Sequence, residues 1–388
     1  MRLTVPFFVI GSLLATLAPN ISVIAAGRLI SGVGAGASIV VGPIFVSEIS
    51  PPQSKGVLGA STQVMINVGI LMTQVLGYFL NYGNTVWRIV LAIGGALGAM
   101  QFFGLVGAIE SPEWLGSNGK PALARKNLIK IRGKDLTEDE ATKWKTAGED
   151  EDENEGLLSS QVSINESTNR KDSKPSVGIF EVIYHPDHYK AIIAVVAVML
   201  AQQLCGINSV IMYSVSFLSE ILPTAAGLIT VAVGGLNLVV TVACAPLADR
   251  FGRKTCLLLS IAGMGTNAVL LAIGIVYDIQ ILTGIVTLLF VASFAVGLGP
   301  VPFILASELV GPEAVGATQS WALAVNWLAM FIVAQFFPML NRAMGKGKVF
   351  FLFAGLAAGF FVFISYWVPE TRGKKDADDV WGRERRED

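Results

Sequence analysis

Apolar residues in this chain are gathered into runs of about the length that crosses a bilayer, and this removes most folds from consideration. Ten such runs are legible, at roughly 3–18, 21–46, 57–80, 87–109, 189–213, 222–247, 255–277, 281–304, 317–340 and 348–368. Apolar residues are 53% of the chain and charged residues 15%, against roughly a quarter charged in a soluble domain. The short alternating strands of a transmembrane barrel are absent from the pattern. An all-α, polytopic membrane protein with a lipid bilayer around it is therefore expected. A cleavable signal peptide is the competing reading of 1–18. Against it, the start carries one Arg, Pro6 interrupts the apolar run, and Ala18-Pro19 is a poor cleavage site.

The net charge of −1 implies no nucleic-acid partner. Its distribution orients the chain. Alternate loops hold Lys55, then Arg250, Arg253 and Lys254, then Arg372, Lys374, Lys375, Arg383, Arg385 and Arg386. The opposite loops hold mainly Arg88, Arg342, Lys346 and Lys348. The positive-inside rule places the first set, and both termini, in the cytosol. The three cysteines, Cys205, Cys244 and Cys256, lie in or beside spans and read as packing residues, not as disulfides or metal ligands.

A polar insert at 110–187 separates a first group of spans, 1–109, from a second, 188–368; a basic tail, 369–388, follows. The apolar/basic period of Leu123, Leu128, Ile129 and Ile131 predicts helix across 110–135 on the cytosolic side. The acidic run 149–155 and the Ser/Asn-rich stretch after it predict disorder over 146–178. Asn165-Glu166-Ser167 matches a glycosylation sequon but falls in a cytosolic loop, where it has no meaning.

Inside the fifth run stand Gln202, Gln203 and Asn208, beside Gly206. Carboxamides are costly in hydrocarbon unless they face a wet cavity or one another. An amide offers paired donors and acceptors without charge, which suits the hydroxyls of a neutral polyol. Hydrogen bonding between helices is the plainer reading of one isolated amide; three together favour a ligand site.

Two stretches repeat. Ser47-Glu48 closes the second run and Ser307-Glu308 the eighth, each after glycines (Gly32, Gly34 and Gly36; Gly297 and Gly299). Asp249-Arg250-Phe251-Gly252-Arg253-Lys254 lies two spans before Glu308. Aligning the halves as parallel repeats puts the first copy of that loop just before Met1. Two spans are therefore expected to be missing at the start, leaving four spans against six. Gln63 and Asn67 would then face lipid or a neighbouring protomer.

These motifs, with Gly27-Arg28, Glu110-Ser111-Pro112-Glu113-Trp114, Gly299-Pro300-Val301-Pro302 and Pro369-Glu370-Thr371-Arg372-Gly373, occur in order along residues 1 to about 373. Together they make the chain resemble the sugar porters of the major facilitator superfamily, whose fold is two bundles of six helices. The resemblance implies a truncated bundle of four spans followed by one of six, and transport of a monosaccharide or polyol by alternating access, with protons as a coupling ion in some members. It puts sugar contacts at Gln63, Gln202, Gln203, Asn208, Asn237, Phe303, Asn326 and Trp327, and an outer gate at Tyr213. It puts a cytosolic lock of charges at Arg28, Glu48, Asp249, Arg253, Glu308, Glu370 and Arg372. Family members often have Trp where Phe303 stands, so this chain keeps the ring and loses an indole donor. Lys55 and Glu113 stand where the family usually has Arg, and Lys cannot make the bidentate fork.

The membrane implied is the plasma membrane or a vacuolar or other endomembrane. A second class of function is a non-transporting sugar sensor or an inactive truncated form. An enzyme has little support: no Ser/His/Asp arrangement is visible, and the two histidines, His185 and His188, flank the start of a cytosolic helix. No cofactor and no metal site are expected.

Overall fold

A computed structural model describes residues 2–51, 54–80, 85–117, 119–133, 178–186, 188–212, 226–374 and 377–382. The ten long apolar helices are numbered in chain order, and shorter ones are named by their residues. They are α1 Val5–Leu17, α2 Ile21–Ile49, α3 Ser61–Phe79, α4 Trp87–Val106, α5 Tyr189–Leu204, α6 Ala226–Cys244, α7 Arg253–Val276, α8 Gln280–Val296, α9 Pro312–Met344 and α10 Val349–Trp367. Eight helices among the described residues are long and apolar enough to cross a membrane; α1 and α6 are shorter apolar helices. The all-helical architecture is as expected, but the division into four spans and six is not confirmed.

Local chemistry sets the boundaries. Pro19 holds Ala18 extended (ψ 126°), which ends α1, and Asn20 then caps α2 by accepting a hydrogen bond from the Val23 amide at 3.0 Å. Pro51 stops α2. The expected helix over 110–135 is two helices, Pro112–Ser117 and Pro121–Arg132. Gly119 (φ +70°) and Pro121 divide them, a proline being tolerated in the first helical turn but not further in. The stretch 146–177, where disorder was expected, lies outside the described residues.

The core sits in the second half of the chain. Within the span windows 28–67% of residues are buried in α5 and α7–α10, but only 6–11% in α2–α4. There α7 packs on α8 and α10, and α5 packs on α9 and α10. Phe337, Phe350 and Phe353 meet at centroid separations of 5.9–6.1 Å. In the first half α1 lies between α2 and α4. Of Gly32, Gly34 and Gly36, only Gly34 meets a neighbour closely: a β-carbon on it would stand 3.0 Å from Phe7, whereas Gly32 and Gly36 face open space.

The halves join along α3 and α6 and again at the ends of α2, α8 and α9 that carry the basic loops, called the basic side below. A β-carbon on Gly59 would lie 3.0 Å from Ile304 Cγ1, and one on Gly316 would lie 4.0 Å from Ile44. The basic side is therefore closed.

The loop charges predict that this side is cytosolic. Single-cysteine labelling checks it: Thr85→Cys should react with an impermeant thiol reagent only from outside and Lys374→Cys only after permeabilisation. The reverse pattern would invert the topology.

Candidate functional site

Two proline residues prepare the centre of the molecule. Helix α8 ends at Val296 and a second segment runs from Val301 to Glu308. Pro302 has no amide hydrogen, so the carbonyl of Leu298, four residues earlier, loses the donor a helix would give it. Gln202 on α5 supplies one. Its Nε2 donates to Leu298 O at 2.7 Å and to Gly299 O at 3.4 Å.

That anchor fixes the direction of an amide network. With Nε2 committed to backbone carbonyls, Gln202 Oε1 must accept, and it does so from Asn326 Nδ2 (2.8 Å) and Gln203 Nε2 (3.4 Å). Asn326 also donates to Met199 O at 2.9 Å, so its Oδ1 faces Gln203 Nε2 at 3.1 Å. Gln203 Oε1 accepts from Asn208. Gln202, Gln203 and Asn326 are 5–6% exposed. Asn208 is half-buried and forms the open end of the chain, with one N–H and its Oδ1 left for a ligand. The turn at Cys205-Gly206 brings Asn208 back over Gln203. Gly206 has φ +92°, and a β-carbon there would stand 2.7 Å from the Phe353 ring, so glycine is required twice over.

Gln63 and Asn237 form a second cluster, between α3 and α6. Gln63 Nε2 donates to Asn67 Oδ1 at 3.0 Å, and Asn67 Nδ2 donates to Thr241 Oγ1 at 2.9 Å and Asn237 Oδ1 at 3.4 Å. Gln63 and Asn67 are 6% and 1% exposed. The expectation that they face lipid or a neighbouring protomer is therefore wrong: α6, from the other half of the chain, covers them. The two clusters come near each other at Gly299, whose carbonyl Gln202 reaches at 3.4 Å and where a β-carbon would be in ordinary contact with Gln63 Cγ at 3.5 Å.

Phe303 is buried in the core beside this meeting point. Trp327, next to the buried Asn326, is 50% exposed, and among the described residues no hydrogen bond joins it to the amides. Tyr213 lies outside the described residues.

Asp249, Arg253 and Glu308 come together on the basic side. Arg253 Nη2 lies 2.9 Å from Asp249 Oδ1 and 2.9 Å from Glu308 Oε1, while Nε reaches both Glu308 oxygens at 3.2 Å. Arg253 Nη1 donates to Ala248 O at 3.2 Å. Glu370 caps α7, accepting from the backbone amides of Arg253 (2.8 Å) and Lys254 (3.1 Å). Gly252 (φ +98°) gives the carboxylate its seat, since any β-carbon there would collide with it.

Two of the expected lock residues are placed differently. Arg28 lies on α2 twenty helical residues from Glu48, about 30 Å along the axis, so it sits at the opposite end of the helix from the lock. Arg372 contributes its backbone amide, 3.1 Å from Glu370 Oε1, while its side chain is exposed. Glu48 stands beside Ser111 and Glu113 at the basic end of α2. Sequence reasoning missed Thr371, which is 4% exposed and donates to Glu308, and passed over Asn67 and Thr241 as ligand-site residues. The available signal was spacing: Gln63/Asn67 and Asn237/Thr241 are each i, i+4 pairs on one helix face.

The sequence profile of the Sugar (and other) transporter family matches residues 1–376. The chain belongs to that family. It is an integral, multi-pass membrane protein and a transporter in kind, not an enzyme. A probable metabolite transport protein of Saccharomyces cerevisiae is 34% identical over 359 residues, which is 92% of this chain and 70% of that protein. The facilitated glucose transporter member 2 of Gallus gallus is 32% identical over 373 residues, 93% of this chain and 65% of that one. In fold, the proton:xylose symporter XylE bound to 6-bromo-6-deoxy-D-glucose superposes with a TM-score of 0.79 at 24% identity, over 99% of this chain and 82% of that one. This family member thus has the major facilitator fold.

Gly252→Ala should lower stability by about 1–2 kcal/mol from the left-handed backbone alone, and more from the displaced Glu370. A thermal unfolding midpoint equal to wild type would show that the cap is dispensable.

Proposed function

We propose that the chain carries a neutral monosaccharide or related polyol across its membrane by alternating access, binding it between the α5/α9 amides and Gln63. The single observation that carries this is the buried, charge-free amide network with an open end at Asn208, built around a helix break in α8. A charged substrate would leave such a site with an uncompensated charge. A neutral polyhydroxylated ring meets each amide with both a donor and an acceptor. Phe303 supports the same reading, because an aromatic face suits the C–H face of a pyranose.

The charge cluster fits the role of a lock. Arg253 joins Asp249, on the short helix Leu247–Phe251 before α7, to Glu308 at the end of the segment Val301–Glu308, and Thr371 and Glu370 tie in the segment after α10. All these contacts lie on the closed, basic side. We read the cluster as holding the basic-side ends of the second half in the arrangement that meets the first half, and so as biasing the two-state equilibrium toward the conformation open on the other face. We place the basic side in the cytosol, Glu48 as the first-half partner of the lock, and the protein in the plasma membrane or a vacuolar or other endomembrane.

Reconstitution into liposomes with radiolabelled hexose tests the proposal, with saturable, trans-stimulated exchange as the expected result. Saturable binding without exchange would favour the sensor reading instead. Asn208→Ala should weaken sugar affinity by about two- to twenty-fold with little change in stability, because it removes only the open end of the network. Gln203→Ala should weaken both, since it also strands Asn326 and Asn208. The amides do not titrate, so affinity should stay flat across about two pH units around neutrality. A steep pH dependence of binding would point to a carboxylate in the site.

A further inference from the structure

Gln63 is held from behind by a relay of hydrogen bonds whose direction is set at a backbone carbonyl. Thr241, one turn after Asn237 on α6, spends its only proton on Asn237 O at 2.7 Å. Its oxygen can then only accept, and it accepts from Asn67 Nδ2 at 2.9 Å. With Nδ2 so placed, Asn67 Oδ1 points the other way and takes hydrogen bonds from Gln63 Nε2 at 3.0 Å and Asn237 Nδ2 at 3.4 Å. A reversed Asn67 would set its oxygen against the proton-less side of Thr241 Oγ1, two acceptors face to face in a site where Thr241 is 0% and Asn67 is 1% exposed. Gln63 is therefore locked with its amide nitrogen inward. Among the described residues its Oε1 accepts no hydrogen bond.

We infer that Thr241 and Asn67 are positioning residues that fix the Gln63 amide with its Oε1 toward the site, so that a substrate hydroxyl finds an acceptor there. The inference rests on the reading of the amides as a sugar site and adds a selectivity rule to it. At Gln63 a substrate hydroxyl that donates to the fixed Oε1 is favoured over a group of the same size that has no proton to give.

Fluorine separates these cases, because a C–F group keeps the size of a hydroxyl and can accept weakly but has no proton to give. The test uses the purified full chain in lipid nanodiscs, a panel of neutral hexoses and pentoses, and, for the tightest binder, its singly deoxyfluorinated analogues. In the wild type, fluorination at one position should weaken binding by about two- to twelve-fold, the cost of one lost hydrogen bond. Thr241→Val removes the hydroxyl at nearly constant volume, freeing Asn67 and hence Gln63 to turn over; the penalty at that position should fall below about two-fold. Thr241→Ser keeps the hydroxyl and should restore the wild-type pattern. Asn67→Leu, which breaks the relay one step later, should behave as Thr241→Val does. A purely structural role would lower stability or overall affinity in these variants and leave the ratio between hydroxyl and fluoro sugars untouched. A ratio unchanged in both Thr241→Val and Asn67→Leu overturns the inference while leaving the sugar reading intact. Failure of the wild-type chain to bind any sugar in the panel overturns both.

Discussion

Everything at the centre of this protein depends on the rule that backbone polar groups inside a membrane must find partners within the protein. Pro302 breaks that rule locally by withholding the donor for Leu298 O, and Gln202 mends it at 2.7 Å. Because this amide is fixed by backbone, its oxygen is committed to Asn326 and Gln203, and theirs to one another and to Asn208. A side-chain network that could have taken several arrangements is thereby left with one. The site is pre-formed by a proline that lies outside it.

The same economy appears on the basic side. The orphan amides at the start of α7 are capped by a carboxylate from after α10, and the guanidinium of Arg253, 8% exposed, is surrounded by two carboxylates and a carbonyl. A buried cation of this kind is tolerable only while all its partners are present. Movement of α8 or of the tail changes that balance, and α8 is the helix that also carries the carbonyls bound by Gln202. The charge cluster and the carbonyls bound by Gln202 therefore share one broken helix, with Ile304, between the break and Glu308, resting against Gly59 of the other half.

Much of this was legible in the sequence. Hydropathy gave most of the spans, and the grouping of Gln202, Gln203 and Asn208 marked an amide cluster that the structure draws together with Asn326. What was not legible is of two kinds. Helical phase is lost when a residue is judged by type alone: Asn326 and Trp327 are adjacent, yet one is 6% and the other 50% exposed, since neighbours on a helix point about 100° apart. Axial position is lost in the same way, since Arg28 and Glu48 share a motif but not an end of α2. Pairing across the halves was beyond a one-dimensional reading. Gln63 and Asn67 seemed stranded until α6, some 170 residues later, supplied Asn237 and Thr241.

The tail adds a mechanical point. Glu370 grips the start of α7, and the indole of Trp381 donates to Leu309 O at 3.0 Å, just past the end of the α8 segment. The stretch between them is thus stitched at both ends to elements on either side of the charge cluster, like a splint across a joint. Whatever pulls on the C-terminal tail outside the bilayer, whether a bound protein, a cytoskeletal tether or an added affinity tag, pulls through that splint on the joint itself.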